Sequence, residues 1–254
     1  MALLTGIVGA VSVLVAWLVT ARLFAISRRT RAAPAQLLAT AFAGLFGVGY
    51  PLGAISRAPG LVETHQGSLL FALGTLGMVV GAAALNGFPQ IVFRPGCRWA
   101  ALVRWLATLV AVAAGLGSTI CVAAANSREE MIETIQPWAV ALILSIGLPF
   151  VWNGIESTLY YGRMKKRQKL GLARPSTTHT FLLWALASWG SAAQIGVIAA
   201  IRLAGQPIVA PLPMGIIAGC SLMTSACWSL AFFMPKSYRS KVLGESFEAS
   251  PATD

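Results

Sequence analysis

Seven apolar runs, at about 3–26, 35–56, 67–92, 100–124, 137–161, 179–203 and 207–234, take up most of the 254 residues and leave the chain few ways to fold. Each can cross a bilayer as an α-helix, because about 20 residues rising 1.5 Å apiece span the roughly 30 Å of hydrocarbon. Lipid offers no partner to a backbone N–H or C=O, so a spanning segment must satisfy these groups internally. Only 11% of residues are charged, less than half the quarter or so usual in soluble domains, so most of the surface must face something other than water. The expected fold is an all-α polytopic membrane protein. One seven-transmembrane helix bundle covers 1–235, and a short tail covers 236–254.

The formal net charge of +11 raises the question of nucleic acid, and its distribution answers it. The connections after runs 1, 3 and 5, with the tail, hold Arg28, Arg29, Arg31, Arg94, Arg98, Arg163, Lys165, Lys166, Arg167, Lys169, Arg174, Lys236, Arg239 and Lys241. Those after runs 2, 4 and 6 hold Arg57, Arg128 and Arg202. Alternation of this kind follows the positive-inside rule. It places the N-terminus outside and the tail in the cytoplasm, with the protein in a cell membrane. The RMKKRQK stretch at 163–169 then sets topology and attracts anionic lipid head groups, and a cytoplasmic protein partner is the second use for it. No nucleic-acid partner is expected. Run 1 lacks a basic leading segment and is followed by its arginines, so it reads as a retained anchor.

Charged and amide side chains at membrane depth are costly, which makes each a candidate for function. Glu156 lies about 10 Å inside the edge marked by Arg163, at 1.5 Å per residue. With Pro149, Asn153, Ser157 and Tyr160 it forms one stripe of run 5. Run 3 travels the same way, and its Asn86 and Gln90 reach a similar depth on a face shared with Thr75 and Ala82. Arg104 of run 4 and Arg22 of run 1 complete a layer drawn from four helices. One use of that layer is structural, with Glu156 paired to Arg104 or Arg22 and the amides bonding between helices. The other is a cytoplasm-facing cavity that binds a small polar molecule or relays a proton. A second cluster, towards the outer half, comprises Ser188, Ser191 and Gln194 of run 6 with Ser221, Thr224, Ser225 and Trp228 of run 7. It would suit a small amphipathic ligand.

The remaining signals have plainer readings. Gly74 and Gly81 fit close helix packing. Ser127 and Glu130 match a capping box, so a short surface helix is expected to lead into run 5. Glu129, Glu130 and Glu133 read as solvated first-turn acids. Trp99, Trp138, Tyr160, Tyr161 and Trp184 fit interfacial belts. Cys97, Cys121, Cys220 and Cys227 lack metal-ligand spacing and are expected to be free thiols.

Several seven-helix functions are excluded. Retinal requires a lysine within the seventh span, and run 7 contains none, so no cofactor is expected. Run 3 lacks an Asp-Arg-Tyr triplet and run 7 an Asn-Pro-x-x-Tyr, which separates the chain from animal-type receptors. His65 and His179, the two histidines, have no Cys, Asp or Glu at triad or ligand spacing, so an enzyme is not expected. The segments RRTRAAP (28–34), GYPLG (49–53) and YYGRMKKRQKLGLARPSTTHTFLLWALAS (160–188) resemble an uncharacterised group of bacterial seven-helix membrane proteins. That resemblance implies a bacterial inner membrane and brings no activity with it. Two functions survive: a sensor or receptor-like binding module signalling through its basic cytoplasmic face, and a small transporter or proton-coupled carrier using Glu156.

Overall fold

A computed structural model of the chain describes residues 2–58, 60–61, 64–125, 128–204 and 211–244. Among them the structure is helical throughout, with no strand. The helices are α1 (Ala2–Thr30), α2 (Ala33–Phe42), α3 (Tyr50–Ile55), α4 (His65–Phe93), α5 (Arg98–Ala124), α6 (Arg128–Lys169), α7 (Pro175–Leu203), α8 (Pro211–Phe233) and α9 (Lys236–Leu243). A π-helical stretch, Ala43–Gly49, joins α2 to α3, so these form one span, and among the described residues seven helices are long and apolar enough to cross a membrane. The protein is a polytopic helical membrane protein.

Polarity is distributed inside out, as lipid solvation demands. Leu109, Leu116 and Ile120 point outward with about three-fifths of their surface open, whereas Asn86, Asn153, Glu156, Ser157 and Ser188 are buried. A water-soluble bundle shows the reverse arrangement. The spans pack as a closed ring in chain order, α8 returning to α1, with α4 also touching α6 across the middle. All four cysteines are free thiols.

The α2–α3 span meets α4 through glycine. A β-carbon on Gly44 would lie 2.7 Å from the Gly77 carbonyl oxygen, and one on Gly81 would lie 2.7 Å from the Leu45 nitrogen. A β-carbon on Gly74 would stand 2.9 Å from the Gly53 nitrogen. Gly74 and Gly81 therefore serve close backbone approach, the use expected of small residues where dispersion and not hydrophobicity holds helices together. The π-helical stretch lies along this contact. Its wider turn leaves backbone bonds out of the i→i−4 pattern, a common mark of a bulged, functional segment. Pro51 follows in the first turn of α3.

Two expectations need correction. No separate surface helix precedes the fifth span, because α6 runs unbroken from Arg128 to Lys169 through Pro137 and Pro149. Ser127, the proposed cap, lies outside the described residues, as do residues 245–254 of the tail. Trp184 does not sit in an interfacial belt. It turns into the core, 5.3 Å from the Phe88 ring and 5.7 Å from the Trp228 ring, because facing α4 and α8 buries far more of its indole than a lipid-facing pose.

Candidate functional site

Glu156 is 4% exposed and lies in the layer the sequence indicates, but its partner differs. The Arg94 Nε donates to Glu156 Oε1 at 2.6 Å, tying the end of α4 to α6. Arg94 terminates α4 as its C-cap and is about two-fifths exposed. It reaches back to the carboxylate from the edge of the bundle, and the shared hydrogen bond and charge of Glu156 hold the guanidinium more firmly protonated. The expected pairings of Glu156 with Arg104 or Arg22 do not form. Arg104 Nη1 instead donates to Gln90 Oε1 at 3.0 Å, and its guanidinium sits 5.0 Å from the Trp105 ring. Arg22 is exposed and lies 5.1 Å from the Phe233 ring, on the α1–α8 side of the molecule. The layer is thus two separate ties and a bystander. Residues at one depth on different helices need not face one another.

Above the ion pair the core is polar and aromatic. Asn153 Nδ2 donates to Ser188 Oγ at 2.6 Å, joining α6 to α7. Among the described residues, Asn153 Oδ1, Asn86 Nδ2, Ser157 Oγ, Trp184 Nε1 and Trp228 Nε1 are buried without a hydrogen-bond partner. Such groups are rare and costly in a packed interior. Rings link Phe42, Trp228, Trp184 and Phe88 in sequence, with centroids 5.2–5.7 Å apart. The space bordered by Asn153 and Trp228 is only about 10 Å³. That is the scale of one water and far below the roughly 300–1,000 Å³ of a small-molecule pocket. In this conformation the core is tightly closed, with several of its buried polar groups unpaired.

The outer-half cluster does not make one pocket. Ser221 Oγ donates to Gln194 Oε1 at 3.1 Å and Thr224 Oγ1 to the Ala187 carbonyl at 3.4 Å, both across the α7–α8 seam. Ser225 Oγ donates to Ser12 Oγ at 3.1 Å, across α8–α1. Ser188 belongs to the Asn153 bond, and Ser191 and Trp228 are buried. These are interhelical ties of modest strength. Ser188→Ala removes the partner of Asn153 and is expected to destabilise the bundle by about 0.6 kcal/mol, the average of such bonds in membranes, in detergent-titrated unfolding.

Three contacts escaped the sequence reading. Arg94 counted there only as a loop charge. His179 Nε2 lies 2.8 Å from the Tyr238 hydroxyl, so the α7 start holds α9. Gln136 Nε2 donates to the Arg202 carbonyl at 2.9 Å, closing the α7 end onto the start of α6. The chain matches no protein-family model, and no curated protein or solved structure is detectably similar to it.

Proposed function

We propose that the protein is a receptor-like sensor of the cell membrane, in a bacterium the inner membrane, with its N-terminus outside and its basic face in the cytoplasm. The orientation follows from the arginines and lysines gathered at one end. The observation that supports the reading is the Glu156–Arg94 pair and its position on α6. At 42 residues, α6 is about 63 Å long at 1.5 Å per residue, roughly twice the hydrocarbon thickness. Beyond Glu156 the helix continues to Lys169, so Arg163, Lys165, Lys166 and Arg167 ride on a rigid extension of the helix that the pair restrains. An ion pair between two spans is a two-state contact. Made, it fixes the extension against α4; broken, it frees the extension to pivot, with Pro149 above it removing one backbone bond from α6.

The experiment is site-directed photocrosslinking in cells, with the crosslinker at Gly162, where an added β-carbon meets nothing within 4 Å. A discrete cytoplasmic adduct, lost when Lys165, Lys166 and Arg167 become glutamine and altered by Glu156→Gln, is expected. No adduct from the cytoplasmic side, or one indifferent to both changes, overturns the sensor reading. A second reading, a proton-coupled carrier, draws on the burial of the Glu156 carboxylate. Its test is proton or solute flux in liposomes carrying a pH dye. Flux abolished by Glu156→Gln supports the carrier; flux that is absent or unchanged rejects it.

A further inference from the structure

We propose that the end of the bundle opposite the basic face holds a binding site for a small organic anion, gripped between Arg57 and Arg202. The site is a cleft of about 240 Å³ where five spans converge: the segment just after α3, the first turns of α4 and α6, and the last turns of α5 and α7. It is much the larger of the spaces described above, and a little below the roughly 300–1,000 Å³ of drug-sized ligand sites. That volume suits a compact molecule.

Its chemistry is specific. Arg57 and Arg202 both line the cleft, and no Asp or Glu does among the described lining residues. Two guanidiniums directed into one space repel each other, and here protein mass removes part of their hydration. Arg57 keeps much of its surface open, yet burial lowers its pKa and the nearby charge of Arg202 lowers it further. Arginines that merely snorkel to an interface diverge towards water or lipid head groups and gain nothing from meeting. A pair that converges is an arrangement awaiting negative charge, and planar guanidinium forks match carboxylate and phosphate oxygens in particular.

The walls support the same occupant. Gly67 and Ser68, in the first turn of α4, place the positive end of that helix dipole beside the cleft. Gln136 lines the cleft while its amide caps the Arg202 carbonyl, so the α7 end that carries Arg202 is fixed before any ligand arrives. Phe71 and Ile135 supply an apolar wall. The expected ligand therefore carries one carboxylate or phosphate and a short apolar body. It could come from either of two sources, a solute or an anionic lipid.

The site would supply the ligand end of the sensor, but its test does not use the output helix, so either idea can fail alone. Full-length protein in nanodiscs of zwitterionic phosphatidylcholine is titrated with benzoate and with phenyl phosphate, followed by calorimetry and thermal unfolding. A parallel set of nanodiscs contains phosphatidylglycerol. Arg57→Gln and Arg202→Gln are the variants, and helical circular dichroism checks that each folds. Saturable binding of either solute, weakened at least tenfold in both variants, supports the site with a soluble ligand. Stabilisation by phosphatidylglycerol alone, lost in both variants, supports it with a lipid ligand. No binding or stabilisation by any of the three, or an effect equal in wild type and folded variants, overturns it.

Discussion

Arg94→Ala is expected to lower the unfolding free energy of the bundle, because Glu156 stays buried and loses its partner. Removing one partner of a buried pair typically costs about 3–5 kcal/mol, because the charge left behind has neither water nor partner. Solvent around Arg94, which is 39% exposed in its side chain against 5% for Glu156, screens the pair and makes the loss here smaller than that. Glu156→Gln should cost less, about 1 kcal/mol, since its amide oxygen can still accept the Arg94 hydrogen bond. Replacing both residues by leucine should recover most of the loss, as apolar substitutes for a buried pair are often neutral. A detergent-titrated unfolding series of the four proteins measures this. Equal stability of wild type and Arg94→Ala would show that the pair holds nothing.

A comparable effect is expected at the glycine seam. Gly44→Ala and Gly81→Ala should each destabilise the protein by about 1–3 kcal/mol, the cost of forcing a methyl into a packed interface. The obstruction is backbone, the Gly77 carbonyl oxygen in one case and the Leu45 nitrogen in the other, so no rotamer change relieves it. The α2–α3 span must then move away from α4 or the π-helical stretch must rewind. Gly219→Ala is the control. It lies in α8 with nothing within 4 Å of an added β-carbon, and helix propensity alone favours alanine there. If Gly44→Ala and Gly81→Ala behave like Gly219→Ala under the same titration, the seam is looser than described.

These two sites show what the sequence could reveal and where it could not. Spans are visible because hydrocarbon imposes a length and an apolar composition, and the seven long helices contain the seven runs apart from Ser56 and Met234, each one residue past its helix, and 207–210, which lie outside the described residues. The glycine seam was half visible: Gly74 and Gly81 announced close packing, but nothing in AGLFGVG specified a π-helical stretch over Ala43–Gly49. Such a turn is selected by the helix it packs against. The depth of Glu156 could be counted from Arg163, and it is buried at that level. Its partner could not be counted. Distance along the bilayer normal says nothing of direction around the helix, so Arg22 and Arg104 matched in depth while facing Phe233 and Gln90. Arg94, nominally outside the span, reached in. The cleft at the other end was hidden for a related reason. Arg57 and Arg202 entered the reading only as sparse charges that fix orientation, and their convergence depends on helices being neighbours in space, not in sequence.

Whether the Glu156–Arg94 pair restrains the basic extension of α6 can be read from a distance between the two. Native Cys97, three residues beyond Arg94, can carry one spin label once Cys121, Cys220 and Cys227 are replaced by alanine, and Lys166→Cys carries the other. A single narrow distance distribution in the otherwise wild-type protein, broadened or displaced by Glu156→Gln, is the predicted result. An unchanged distribution would mean that α6 is held by its packing alone and that the ion pair transmits nothing.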